Sequence, residues 1–168
     1  SVQTVASSFH QRHSAPSVER FEVVPLGHRA LVAYLQGRGI PAHIAKANCK
    51  EAHYSVNGKP YFGVAFENVS EGWELRNRYF KGCRGSKDIS YLPWSRDGPS
   101  TECAVFEGFI DYISALTLDI ISGADAIILN SVVNVNKAMP YLKDYNAINC
   151  YLDNDNAGQS ALSELAAI

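Results

Sequence analysis

The 168-residue chain has no apolar run near the ~20 residues a bilayer-spanning helix needs, and no secretory leader opens it. A membrane-spanning helix and a membrane partner are therefore not expected. The four cysteines, Cys49, Cys83, Cys103 and Cys150, form no Cys-x-x-Cys pair. That spacing speaks against a structural zinc site within the chain and against a disulfide framework. Isolated thiols of this kind are usually buried and reduced, which makes the cytoplasm the expected compartment. No methionine begins the chain, so a fragment or a processed product is expected. Nor is there a large excess of one charge: the formal net charge is -2, which alone says nothing about nucleic acid.

What is present is unevenly distributed. Residues 1–100 hold 13 Lys and Arg against 8 Asp and Glu, whereas residues 101–168 hold 2 against 9. A basic half joined to an acidic half suits gripping a polyanion beside a metal site; chance segregation of charge is the plainer alternative. The length is enough for one medium domain or two small ones sharing an interface.

Residues 1–25 are expected to be a linker or extended arm, because the first 20 are rich in Ser, Gln and His and lack an apolar period. His10 and His13 are spaced like metal ligands but have no partner nearby, so an exposed pair is the simpler reading. Residues 26–100 are expected to form a basic α+β subdomain. Leu31, Val32, Tyr34 and Leu35 make one helical face that Gly37 and Gly39 end, and Pro41 is placed to open a second helix through about Asn48. Asn57-Gly58 between Tyr54–Val56 and Pro60–Phe66 predicts a tight hairpin. Trp73–Phe80 and Ile89–Trp94 read as further strands, and the loop Ser95–Thr101 as the subdomain boundary.

Residues 101–168 have a different texture. Short apolar strands (Cys103–Phe106, Ala126–Leu129, Ala147–Leu152) alternate with helical patterns (Phe109–Ile121, Asn134–Tyr145, Ala157–Ala167). This alternation predicts an α/β unit: a parallel sheet with flanking helices, all strand C-termini on one edge. Open α/β sheets bind ligands at that edge. Glu107 follows the first of these strands, and Asp153 and Asp155 follow the third. Three carboxylates converging there would repel, and a divalent cation is the usual remedy. Magnesium takes a few carboxylates and keeps water or substrate phosphate in its other positions. Asp111, one helical turn past Glu107, is placed to face the same point. Two plainer readings compete. Each acid is also at the position of a helix N-cap. Asp153, Asp155, Gly158 and Glu164 moreover fit positions of a calcium loop, although Ala157 stands where an oxygen ligand belongs and the preceding segment is strand-like.

These residues carry a family resemblance. Phe106-Glu107-Gly108-Phe109-Ile110-Asp111 resembles the first motif of topoisomerase–primase (Toprim) domains. Leu152-Asp153-Asn154-Asp155-Asn156-Ala157-Gly158 resembles the second, an Asp-x-Asp motif whose Ala-Gly begins the next helix. Asn130-Ser131 sits where the family has a small polar turn. Upstream, Tyr34–Ile40 and Trp73–Asp88 resemble the basic subdomain that precedes Toprim in bacterial replicative primases, with the closest likeness to primase-like proteins of mobile elements and phages. The resemblance implies a Toprim-like fold at 101–168. It further implies magnesium, or manganese, on Glu107, Asp153 and Asp155, with Asp111 in the catalytic set. Single-stranded DNA and nucleoside triphosphates are the implied ligands, and a helicase or relaxase the implied partner. The family fold continues with another strand, so the Toprim domain is expected to be C-terminally incomplete here. Lys87-Asp88 departs from the Lys-aromatic pair usual in primases.

Arg76, Arg78, Lys81, Arg84 and Lys87 have no acid among them, and Arg76 and Arg78 would share one strand face. They are the candidate nucleic-acid or nucleotide contacts, with Tyr79, Phe80 and Tyr91 available to stack on bases. A charged sheet edge that discourages aggregation is the plain alternative. The leading expectation is primase-like, magnesium-dependent nucleotidyl transfer on single-stranded DNA in replication or transfer of a mobile element. A Toprim nuclease and a nucleic-acid-binding fragment without activity are the alternatives.

Overall fold

The computed structural model describes residues 20–168. His10, His13 and most of the expected arm lie outside the described residues. The first part of the fold is β1 (Phe21–Pro25), α1 (Arg29–Gln36), α2 (Ala42–Asn48), β2 (Lys50–Val56), β3 (Lys59–Glu67), β4 (Trp73–Arg76) and β5 (Lys81–Arg84). Its strands form one antiparallel sheet in the order β1-β2-β3-β4-β5. The second part is β6 (Ser90–Leu92), β7 (Glu102–Phe106), α3 (Phe109–Thr117), β8 (Asp125–Ile128), a 3₁₀ turn (Val132–Asn134), α4 (Val135–Leu142), β9 (Ala147–Tyr151) and α5 (Asn156–Leu165). The sheet order is β6-β8-β7-β9, with β7, β8 and β9 parallel and β6 antiparallel at the edge. The expected α/β architecture with a basic α+β part before it is the one observed.

Local chemistry explains most boundaries. His28 caps α1 by accepting the Ala30 N–H on Nδ1, and Pro41 opens α2. Asn57 and Gly58 both have positive φ, the geometry a two-residue hairpin between right-twisted strands demands. The structure differs from expectation in four places. Phe21–Pro25 is not an arm but an edge strand: Phe21 and Val23 pair with Tyr54 and Ala52 and cover the outer face of the first sheet. Trp73–Phe80 is not one strand, because Asn77 accepts the Tyr79 N–H on its side chain and closes a turn that separates β4 from β5. β6 precedes the expected boundary at 95–101 yet belongs to the second sheet. Finally, α3 stops at Thr117, and Asp119 takes a left-handed conformation instead of continuing the helix to Ile121.

The second sheet is buried on both faces, as parallel strands require. Ala104, Phe106, Ala126 and Ile128 face α3 and the first sheet, where they join Leu31, Leu35, Val64 and Phe66 in one core. Cys103, Val105, Ile127 and Leu129 face α4 and α5. Each large apolar side chain so buried contributes about 1.5–3 kcal/mol relative to exposure. The two parts therefore share a core, and Phe66 stacks on Phe109 with ring centroids 5.1 Å apart and planes 7° from parallel. That contact sits at the mouth of α3, directly behind Glu107. Among the described residues no helix is long and apolar enough to cross a membrane, and all four cysteines are free.

Candidate active site

β7 lies between β8 and β9, so the residues following these three strands meet at one edge. Phe106 pairs with Tyr151, and their rings stack at 5.0 Å, locking the C-terminal ends of β7 and β9 side by side. One residue beyond Phe106 is Glu107, and two beyond Tyr151 is Asp153. The Asp153 backbone N–H donates to Glu107 Oε2 at 3.2 Å, across 46 positions of sequence. Glu107 and Asp153 are thus brought together.

Asp111 belongs to the same cluster. Its carboxylate reaches back to the Gly108 N–H at the start of α3, the reciprocal half of a capping box. Desolvation and the Asp153 charge push its carboxyl up, while the Gly108 N–H and the Arg76 and Lys81 cations pull it down; the balance is a raised pKa. Arg76 arrives from β4, with Nη2 beside Gly108, and Lys81 pairs with Arg76 across β4 and β5. An anionic corner of one sheet therefore faces a cationic strand pair of the other.

Asp155 has the helix-cap role: Oδ1 accepts the Gly158 N–H at 2.7 Å at the start of α5. Its Oδ2 makes no hydrogen bond among the described residues. Gly158 is held against the backbone of Asp153, so closely that no side chain fits there. This explains the glycine of the second motif: it lets α5 tuck under the loop that presents Asp153. The segment 153–164 is a strand end, a short loop and a helix, which excludes the calcium-loop reading.

Of the five basic candidates, three share the cleft and two do not. Lys81 and Lys87 line an open cleft of about 260 Å³ with Glu74, Glu107, Asn130 and Asn134, and Arg76 lies at its edge. Arg78 stands in the β4–β5 turn, not on the strand face of Arg76, and points to a different groove. Arg84 pairs with Trp73, on the face opposite Arg76 and Lys81, and its guanidinium lies 5.3 Å over the Phe21 ring. Of the candidate stacking rings, Tyr91 turns inward to Asp125 and Tyr145.

Glu74 and Asp125 went unremarked in the sequence, and Asn130 was noted only as part of a polar turn. Glu74 is buried on the cleft wall, and burial raises its carboxyl despite Lys87, Lys81 and Arg76 nearby. Asn130, with positive φ, donates from Nδ2 to Asp88 O and Ser90 Oγ, while Ser90 Oγ donates to Glu67 O. This network ties the end of β8 to both sheets. Asp125 is fully buried at the opposite end of β8 and accepts from Trp94 N, Ser100 N and the hydroxyls of Tyr145 and Tyr91. Asn130 was visible as a residue just past a strand end, whereas nothing local marked Glu74 or Asp125.

Among the described residues no group of three or more His, Cys, Asp and Glu is arranged as a ready-made metal cage. The adjacent Glu107 and Asp153 fit magnesium, which needs only one or two protein carboxylates when substrate oxygens complete its shell. They do not fit a cation that requires an all-protein cage.

Residues 104–168 match the Toprim-like family, and residues 20–85 match a domain of unknown function (DUF8464). No curated protein sequence matches the chain. Among solved structures, the chain is similar to the primase fragment of the bacteriophage T7 primase-helicase protein, at 18% identity and a TM-score of 0.58, over 79% of this chain and 59% of that one. It is also similar to a primase chain in the bacteriophage T7 lagging-strand DNA polymerase complex, where primase domains of two subunits are bound to an RNA/DNA hybrid and dTTP. That match has 15% identity and a TM-score of 0.53, over 87% of this chain and 74% of that one. The chain spans about three fifths of the T7 primase fragment. At these identities the likeness is one of fold: a Toprim-like domain preceded by a primase-type α+β part.

Proposed function

We propose that the chain is the catalytic part of a primase-like enzyme that transfers nucleotides to a growing strand on single-stranded DNA. The observation that carries this reading is the cleft between the sheets, where Glu107 faces Lys81 and Lys87, with Asp153 and Asp111 clustered beside Glu107 and Arg76 at the cleft's edge. A metal-binding corner facing a row of cations is the arrangement phosphoryl transfer needs, because catalysis there is positioning plus neutralisation of charge. Magnesium, or manganese, would be held by Glu107 and Asp153, with Asp155 Oδ2 available to join them. When bound, the metal would neutralise charge on the transferring phosphate and orient the reacting oxygens. Lys81 and Lys87 bind phosphate oxygens from the opposite side, and Arg76 holds the acidic corner in place through Asp111. A helicase partner is proposed because a similar fold occurs in a primase-helicase protein. The setting in a mobile element rests on sequence resemblance alone.

Primer synthesis on single-stranded DNA, with four ribonucleotides and magnesium, tests the reading. Activity should require both carboxylates, so Glu107→Gln and Asp153→Asn should each abolish it at unchanged fold by circular dichroism. Nicking of supercoiled plasmid without primer synthesis would sink the primase reading in favour of a nuclease. Absence of both reactions at full single-strand binding would leave a binding module and sink it too.

A further inference from the structure

The groove between α1 and the β4–β5 turn carries chemistry that the acidic site does not use. It is a cavity of about 580 Å³, walled by Leu31 and Tyr34 of α1, Tyr61 and Phe62 of β3, and Arg78 and Tyr79 of the turn. Three of these side chains, Tyr34, Phe62 and Tyr79, present rings to it, whereas Tyr61 borders it from the other face of β3, where its ring stacks on Tyr54. Tyr79 stands at the turn with 90% of its surface exposed, and Tyr61 and Phe62 are exposed as well. His28 stacks on Phe62 at 4.1 Å, and the Arg38 guanidinium lies 5.2 Å over Tyr34, so two of the rings are braced from behind.

The surrounding charge is predominantly positive, with Glu51 buried behind His28 and held by the Gly27 and His28 N–H groups and by His53. Residues 23–50, 52–66 and 75–87, which supply all the walls, contain no Asp or Glu, yet hold ten of the chain's 15 Lys and Arg. A groove for an apolar helix or for a second copy of the chain has no need of so positive a field, and a polyanion does. Placement agrees. Phe62 and Phe66 lie four residues apart on one face of β3, roughly 13 Å at strand rise, and Phe66 stacks on Phe109 behind Glu107. The groove therefore opens on the same side of the first sheet as the acidic cleft, a few nucleotides away.

We propose that this groove seats an unpaired nucleobase of the single strand, stacked on Tyr79 with Arg78 on the adjoining phosphate. The contact is sequence-tolerant, since every base has a face to stack. It rests on the nucleic-acid reading of the acidic cleft and adds a second point that sets where the strand lies.

The test is fluorescence anisotropy of labelled oligo(dT) with the full chain, comparing the parent with Tyr79→Ala. The Tyr79 ring is exposed, so thermal melting should show the fold intact. Tyr79→Ala should weaken binding about fivefold to 100-fold, the range for one lost base stack. An abasic site walked along the oligonucleotide should weaken the parent at one position and leave Tyr79→Ala unaffected there. If the parent does not bind oligo(dT) at all, both this proposal and the function proposed for the cleft fail. If the parent binds and Tyr79→Ala binds equally well with no abasic-sensitive position, the groove proposal fails alone. A change in self-association by sedimentation without a change in strand affinity would make the groove a contact between copies and overturn the proposal.

Discussion

Gly158→Ala separates the effect of helix propensity from that of the site's geometry, because the two have opposite signs. Gly158 is the third residue of α5, and in an unconstrained helix alanine there would add up to about 1 kcal/mol of stability. Here a β-carbon would lie 2.9 Å from the Asp153 carbonyl carbon and 3.3 Å from its nitrogen, and closer still to its oxygen. Ordinary contacts of a carbon are ~3.5–4.0 Å, so the Asp153 peptide, and its oxygen above all, must retreat by more than about 1 Å. Overpacking of that size costs about 1–3 kcal/mol, which outweighs the propensity gain and leaves a net loss of about 1 kcal/mol. The same displacement carries the Asp153 carboxylate away from Glu107, and a misplacement near 1 Å is worth on the order of 100-fold in rate. Guanidinium denaturation at constant slope gives the stability change, and magnesium-dependent primer synthesis gives the rate. A Gly158→Ala protein more stable than the parent and equally active would refute the reasoning.

Asp125→Asn should destabilise the fold by about 2–4 kcal/mol, because in either amide orientation a buried N–H donor is set against another donor. Burial pushes the Asp125 carboxyl up, but hydrogen bonds from Tyr145, Trp94, Ser100 and Tyr91 hold it below its ordinary value. Its contribution is therefore full above the unfolded pKa of ~3.9 and is lost as pH falls through the lower folded pKa. Urea midpoints measured at about pH 7 and about pH 3 should fall further for the parent than for the variant. Asp155→Asn should keep the α5 cap and the parent's stability, yet lower primer synthesis by on the order of tenfold or more through its effect at the metal. Asp155→Ala should lose the cap as well, about 1 kcal/mol by denaturation. Full activity in Asp155→Asn would reduce Asp155 to a helix cap.

The acidic corner was legible because its geometry follows from topology. β7, β8 and β9 are buried on both faces, so they appear as short apolar runs between helical periods, and right-handed crossovers then send Glu107, Asn130 and Asp153 to one edge. The Asn57-Gly58 hairpin was legible because only a few residue types tolerate its positive φ values. Features set by long-range pairing were not. β1 is five residues whose partner lies some 30 positions on, and β6 joins β8 across the loop that composition marks as a boundary. The β4–β5 break uses an asparagine side chain, with neither glycine nor proline in Asn77–Phe80, so alternation of Arg76 and Arg78 looked continuous. Asp125 is a functional-looking acid with a structural job, which only the convergence of Tyr91, Trp94, Ser100 and Tyr145 reveals.

The charge asymmetry between the two halves acquires a physical meaning once they are seen to share a core. Glu107, Asp111 and Asp153 come from the acidic half, and burial together with repulsion from Asp153 raises the Asp111 carboxyl. Arg76 and Lys81, which oppose that repulsion, come from the basic half. Alignment of the two groups depends on the Phe66–Phe109 stack and on the Asn130–Ser90–Glu67 hydrogen bonds, both of which cross between the sheets. Neither half alone holds a complete cleft: the second sheet would carry an uncompensated acidic corner, and the first a basic strand pair with no metal site to serve. Because the cations already neutralise part of the corner, a single divalent ion on Glu107 and Asp153 would suffice under the proposed function, with substrate phosphates completing its shell.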